Sequence, residues 1–275
     1  MRRAPVLATF FVAGLVLPGG SEGGGLPPSL PPVAYQIPWD RLDLPTYLLV
    51  KDVVAGAVVA RQVDGIWYRS RKEVFDFLIE HPDFAANVAR VLKEGKYRVW
   101  QTTAGYAADD GRGAYGFFKP LITDGDRRVF YLEGRYDRPF LPTLSGRLVL
   151  VLETVHRTNS GGISYAETRV AGFLRLDSAI LERLARVAIS LSERLLERRI
   201  RRFFRHVERV SRRAYDDPEG LAEELARHPD LPAERVAQFR QVLFANRLPG
   251  WAEALGLRLI RAPLFLDPAG ASAPR

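Results

Sequence analysis

Apolar side chains recur at intervals of three and four along residues 177–214: Ile180, Leu184, Val187, Leu191, Leu195, Leu196, Ile200, Phe203, Val207 and Val210. That period places them on one face of a long helix. Asp177 suits an N-cap, because its carboxylate can accept from first-turn N–H groups, and Asp216-Asp217-Pro218 supplies a stop. At 1.5 Å per residue such a helix is roughly 55 Å long. Between residues 50 and 176 the pattern changes to short runs of β-branched and aromatic residues, the pattern of strands that need a helix to cover one face.

The remaining elements follow in order. Ile37-Pro38-Trp39-Asp40 and Leu44-Pro45 read as an extended arm with aromatic anchors. Residues 47–68 are β-branched and apolar, with turn candidates at Ala55-Gly56 and Asp64-Gly65, and predict one bent strand or a hairpin. Ser70-Arg71-Lys72-Glu73 has capping-box spacing, in which the serine accepts from the third residue's N–H and the glutamate reaches back. It opens a helix carrying Val74, Phe75, Phe77 and Leu78. His81-Pro82 interrupts it, and a second short helix with Phe84, Val88, Val91 and Leu92 ends at Gly95. Strands are predicted over 96–104, 114–122, 127–135, 147–157 and 163–176. Asp109-Asp110-Gly111, Asp124-Gly125-Asp126 and Asn159-Ser160-Gly161-Gly162 separate them, the second with the Asp-Gly signature of a tight hairpin. Past Pro218 two short helices are expected, over 218–227 and 233–246, before a Pro/Ala-rich tail.

Composition narrows the class. An apolar content of 47% with 26% charged residues is that of a globular chain, with length for one or two domains. The formal charge of +8 comes from 35 arginines and only 5 lysines against 32 acids. A basic balance favours acidic partners; a skew this strong toward arginine also fits the codon bias of a GC-rich genome, and nucleic acid is not the expected partner. Arg2 and Arg3 precede an apolar run over residues 4–17, and small residues follow, the pattern of an export signal. The run is shorter than the about 20 residues that span a bilayer. The expectation is an exported, periplasmic protein, with an N-terminal membrane anchor as the alternative if the segment is not cleaved. There is no cysteine, which removes lipoprotein attachment and disulfides. The chain then divides into a signal peptide (1–20), a Gly/Pro linker (21–33), a ligand-binding domain (34–215) and a helical C-terminal extension with its tail (216–275).

Strands followed by segregated helices give an α+β class. The order of strand, two short helices, antiparallel meander and long C-terminal helix, with the stretch SRKEVFDFLIEHPDF (Ser70–Phe84), resembles the helix-grip fold of the START/Bet v 1-like (polyketide cyclase-like) superfamily. The resemblance covers residues 48–214. It implies a curved antiparallel sheet wrapped around the long helix, an apolar cavity between them, and binding of a lipid, sterol, polyketide or other apolar molecule.

Aromatic residues on the strands are the pocket candidates, since tyrosine and tryptophan offer apolar bodies with polar tips. They are Tyr97, Trp100, Tyr115, Phe117, Tyr131 and Tyr165, with Glu133 to orient a polar head; Tyr106, Phe130 and Tyr136 belong to the same set, and filling the core is the competing role. Glu153, His156 and Glu167 are ionisable residues in apolar strands. Glu153 and His156 lie three apart and so on opposite faces of a strand, which argues against an acid–base dyad. The four histidines lack metal-ligand spacing, and no nucleotide-binding or hydrolase motif is present. No cofactor, metal or catalytic residue is therefore expected. Arg198, Arg202, Arg205 and Arg209 form a basic face on the long helix, suited to anionic lipid or an acidic partner, or to solvent. The expected function is binding of a hydrophobic small molecule. A cyclase- or dehydratase-like enzyme and an interaction module without a cavity are the alternatives, and the oligomeric state is left open.

Overall fold

The structure is a computed structural model and describes residues 37–137, 143–160, 163–177, 204–205 and 207–245. The chain divides into two compact units, Met1–Leu243 and Phe244–Arg275. The first is α+β, built on a curved, seven-stranded antiparallel sheet.

After a 3-10 turn at Trp39–Arg41 comes helix α1 (Leu44–Ala55), then strand β1 (Val59–Arg69). Helices α2 (Lys72–Glu80) and α3 (Pro82–Val91) follow. The meander is β2 (Arg98–Thr102), β3 (Gly105–Asp109), β4 (Ala114–Asp124), β5 (Arg127–Tyr136), β6 (Leu144–Thr158) and β7 (Ser164–Leu176). Residues 207–216 are helical, and α4 (Pro218–Ala226) and α5 (Ala233–Phe244) complete the described chain. The strand order is β1-β7-β6-β5-β4-β3-β2, so the meander is sequential and β1 crosses over to pair with the last strand.

Local chemistry explains most boundaries. Asp43 accepts from the Thr46 N–H at 2.9 Å, and Pro45 sits in the first turn of α1, where no intrahelical donor is needed. The stretch expected as an extended arm and a strand is therefore helical from Leu44 to Ala55. Its valines prefer strands by propensity, but Val50, Val53 and Val54 are fully buried against the sheet, and packing overrides propensity. Asp64-Gly65 is not a turn but a bulge in β1, between Val63 and Ile66, with Gly65 at φ +67°. A second bulge lies between Pro120 and Ile122, the kind of position at which a strand accommodates proline. The tight hairpin is present at Asp124-Gly125-Asp126, with Gly125 at φ +55°. The expected capping box is replaced: Arg71 is the N-cap of α2, without a side-chain cap bond, and the Ser70 hydroxyl donates to the Arg71 carbonyl instead. The stretch 96–114, read as one strand and a turn, folds back at Thr103-Ala104 and gives the additional strand β3. Asp217 caps α4 by accepting from the Gly220 N–H at 2.9 Å.

Alternation divides the core in two. On one face, called outer here, Val129, Tyr131, Val149, Val151, Ala171 and Phe173 pack under α1 with Ile37. On the inner face Val63, Ile66, Tyr68, Leu152, Ala166 and Val170 pack with Phe75 of α2 and with Phe204. Beyond α2 and α3, Phe77 and Phe84 meet Phe239 of α5 at ring-centroid distances of 5.4 and 5.3 Å.

Candidate ligand-binding cavity

The inner face does not close completely. Phe130, Leu132 and Gly134 of β5 stand in register with Leu150, Leu148 and Gly146 of β6. Leu148, Leu150 and Leu152 in turn oppose Leu174, Gly172 and Val170 of β7. All of these line a cavity of about 270 Å³. Space for the centre of one water is about 10–15 Å³, so the void is far larger than a packing defect. Its other walls come from Phe75, Leu78 and Ile79 of α2, Pro82, Ala85, Ala86 and Ala89 of α3, and Phe204, Val207, Val210 and Ser211.

A row of small residues makes the room. Ala108, Gly116, Gly134 and Gly146 are register neighbours across β3, β4, β5 and β6, all at the cavity. A Cβ on Gly116 would lie 2.8 Å from the Glu133 carbonyl oxygen, and one on Gly134 would lie 3.0 Å from that of Tyr115. Neighbouring main chains approach too closely here for side chains, and the cavity floor is main chain. The small residues Ala85, Ala86 and Ala89 of α3 contribute to another wall.

Of the seven principal candidates Tyr97, Phe117 and Glu133 reach this cavity, as does Phe130 of the wider aromatic set. Tyr97 directs a side chain to it. Its ring lies over Gly95, where a Cβ would overlap it. Tyr97 is half-buried at the wall, and desolvation pushes its pKa up to about 12. It has no hydrogen-bond partner among the described residues. Glu133 and Phe117 belong to the outer face by parity and flank the small-residue row at the cavity. The Glu133 carboxylate accepts from the Tyr131 hydroxyl at 3.2 Å on that outer side.

The other four stand away from the cavity for the same reason of parity. Trp100 and Tyr115 pair at 6.1 Å on the outer face and are 41% and 44% exposed. Tyr131 is buried beneath α1. Tyr165 is an outer-face residue at the start of β7, hydrogen-bonded with Arg69. The wall residues that aromatic content does not reveal are the β6 leucines and the small-residue row; glycines recurring at matched positions of successive strands are the signal for the latter.

The ionisable groups at the wall are engaged. Asp109 accepts from the Gly111 N–H at 2.6 Å, and Asp110, buried, from those of Arg112 and Ala114 at 2.7 and 2.9 Å. Arg135 pairs with Asp137 at 3.2 Å and lies over the Tyr115 ring. Glu153 pairs with Arg127 and Arg169, and Glu167 with Arg157. His156 is on the inner face beyond the cavity end, 5.4 Å from the Phe75 ring, with both ring nitrogens buried and unpartnered. Desolvation lowers its pKa, and nearby Lys72 acts in the same direction. Arg128, an inward-facing cation farther along β5, is paired with Asp76.

Of the basic face, Arg205 and Arg209 are exposed, Arg209 pairing with Glu94 at 2.8 Å; Arg198 and Arg202 lie outside the described residues. Among the described residues no three His, Cys, Asp or Glu side chains are placed to share a metal ion, and no helix is long and apolar enough to cross a membrane. No family model matches the chain, and no curated protein matches it in sequence.

Proposed function

We propose that this protein binds an apolar small molecule of the lipid class in the cavity between the sheet and α2, α3 and the helical residues after 204. The observation that carries the reading is the cavity of about 270 Å³, walled by leucine, phenylalanine and alanine and floored by glycine main chain. Binding draws on burial of ligand hydrocarbon at about 25 cal/mol per Å², less the cost of immobilising the ligand. The fold is read as a helix-grip of the START/Bet v 1-like kind, with residues 177–214 as its long helix; the sequential meander and the crossover of β1 to β7 support it. The charged start and apolar run 4–17 support an exported, periplasmic setting, and the exposed Arg205 and Arg212 support peripheral contact with anionic lipid.

The test is native mass spectrometry of the purified protein, with organic extraction of what accompanies it. The expected result is a discrete adduct that extracts as a lipid and is regained on incubation with membrane lipid extract. A mass equal to the bare chain, unchanged by that incubation, would sink the reading in favour of an interaction module.

A further inference from the structure

Apolar volume alone does not say what kind of molecule fits; the polar groups at the wall do. The carboxylates there, Asp109 and Asp110, accept from main-chain N–H groups. The Arg135 guanidinium is turned outward, to Asp137 and the exposed face of Tyr115. Arg128 is held by Asp76 and is not part of the wall. An anionic head group entering the cavity thus meets carboxylates and no available cation among the described residues. Burying an unpaired charge is strongly unfavourable. Asp109 and Asp110 are committed to the β3–β4 turn through their Oδ1 atoms, which leaves a cationic head group only their remaining lone pairs. The hydroxyl donors at the wall are those of Tyr97 and the buried Ser211, and of the two the phenol, held protonated, is the stronger donor.

We infer that the ligand is an uncharged molecule carrying one hydrogen-bond acceptor, a ketone, ester or ether oxygen, which accepts from the Tyr97 hydroxyl while its hydrocarbon lies along the β5–β6 leucines. This rests on the cavity reading above and narrows it to a ligand class. It separates neutral lipids from fatty-acid anions, which an apolar cavity by itself would not do.

The experiment uses the full chain at neutral pH with diphenylhexatriene, a hydrocarbon that fluoresces when removed from water. Displacement by 2-undecanone is compared with displacement by undecanoate, in the unchanged protein and in Tyr97→Phe. The unchanged protein is expected to take the ketone at least about tenfold more tightly than the carboxylate. Tyr97→Phe should lose roughly three- to tenfold in affinity for the ketone relative to its affinity for diphenylhexatriene, the worth of one hydrogen bond. Equal displacement by ketone and carboxylate, or a ketone affinity unmoved by Tyr97→Phe, overturns the inference while leaving the cavity reading standing. Failure of the unchanged protein to bind diphenylhexatriene overturns both. If Tyr97→Phe does not fold, Tyr97→Leu, which also lacks a donor, takes its place; the ketone-to-carboxylate ratio of the unchanged protein decides in either case.

Discussion

The outer face of the sheet packs a buried apolar cluster under α1, while the inner face of the same strands meets α2 and α3 across a cavity. Outward go Val129, Val149, Val151 and Phe173, compact and stiff at χ1 or large and flat, and α1 answers with Val50, Val53 and Val54. Asp52 anchors that helix by pairing with Arg147 at 2.8 Å and with Arg175, and Arg147 also reaches Asp177 at 3.1 Å. Inward go leucines and a row of small residues, and α3 opposite presents alanines. The alternation that builds the sheet thus assigns stability to one face and available space to the other.

The contrast is sharpest for large-to-small substitution. Phe173 is completely buried in the outer layer, so Phe173→Ala should cost about 3–5 kcal/mol, read as a fall in the denaturant midpoint. Leu150→Ala, at a wall that already faces a void, should cost only about 2 kcal/mol, because part of the leucine surface has no protein atoms to lose. Equal losses would mean that the inner face is as closely packed as the outer.

Small-to-large substitution reverses the roles. Ala171 is fully buried beneath α1, and Ala171→Leu should destabilise by about 1–3 kcal/mol through overpacking. Ala85→Leu, at the cavity wall, should leave the melting temperature nearly unchanged and abolish most diphenylhexatriene binding. A large loss of stability in Ala85→Leu would argue against available space at that wall.

Asp52→Ala tests the anchor of the closed face. Its ion pairs are partly exposed, so the expected cost is about 1 kcal/mol, smaller in high salt. Ligand affinity should not change, since α1 and the cavity lie on opposite sides of the sheet. A matched loss of binding would show that the two faces are coupled.

The sequence was most legible where one local rule decides. The Asp124-Gly125 hairpin, the break at His81-Pro82, the stop before Pro218 and strands β4 to β7 all follow from turn chemistry and apolar runs. Helix α1 was illegible because its valines read as a strand until the outer face claims them, although Asp43 and Pro45 already carried an N-terminal signature. Strand β3 was hidden by a turn at Thr103-Ala104 that contains no Pro, Asn or Asp. The cavity was only partly legible. Counting aromatics selected Tyr97 together with Trp100, Tyr115, Tyr131 and Tyr165, which face outward, because a list of aromatics ignores strand parity. Glycines 116, 134 and 146 become a row only once register is known.

The smallest expected effect compares two tyrosines on the two faces. Burial pushes Tyr97 and Tyr131 both up to about 12 from the ordinary value of 10.0, the second aided by the charge of Glu133 beside it. A raised tyrosine pKa favours folding below pH 10, where both states are protonated. Between about pH 10 and 12 the unfolded chain ionises first, so this stability is lost as pH rises through the folded value. Tyr97→Phe should flatten part of that alkaline decline in unfolding free energy, and Tyr131→Phe another part. Ligand should distinguish the two. An acceptor bonded to the Tyr97 hydroxyl stabilises its protonated form, so 2-undecanone should move one tyrosinate absorbance step to higher pH in the unchanged protein and in Tyr131→Phe, but not in Tyr97→Phe. A shift that survives Tyr97→Phe and disappears in Tyr131→Phe would place the ligand on the outer face, and the assignment of space to the inner face would have to be abandoned.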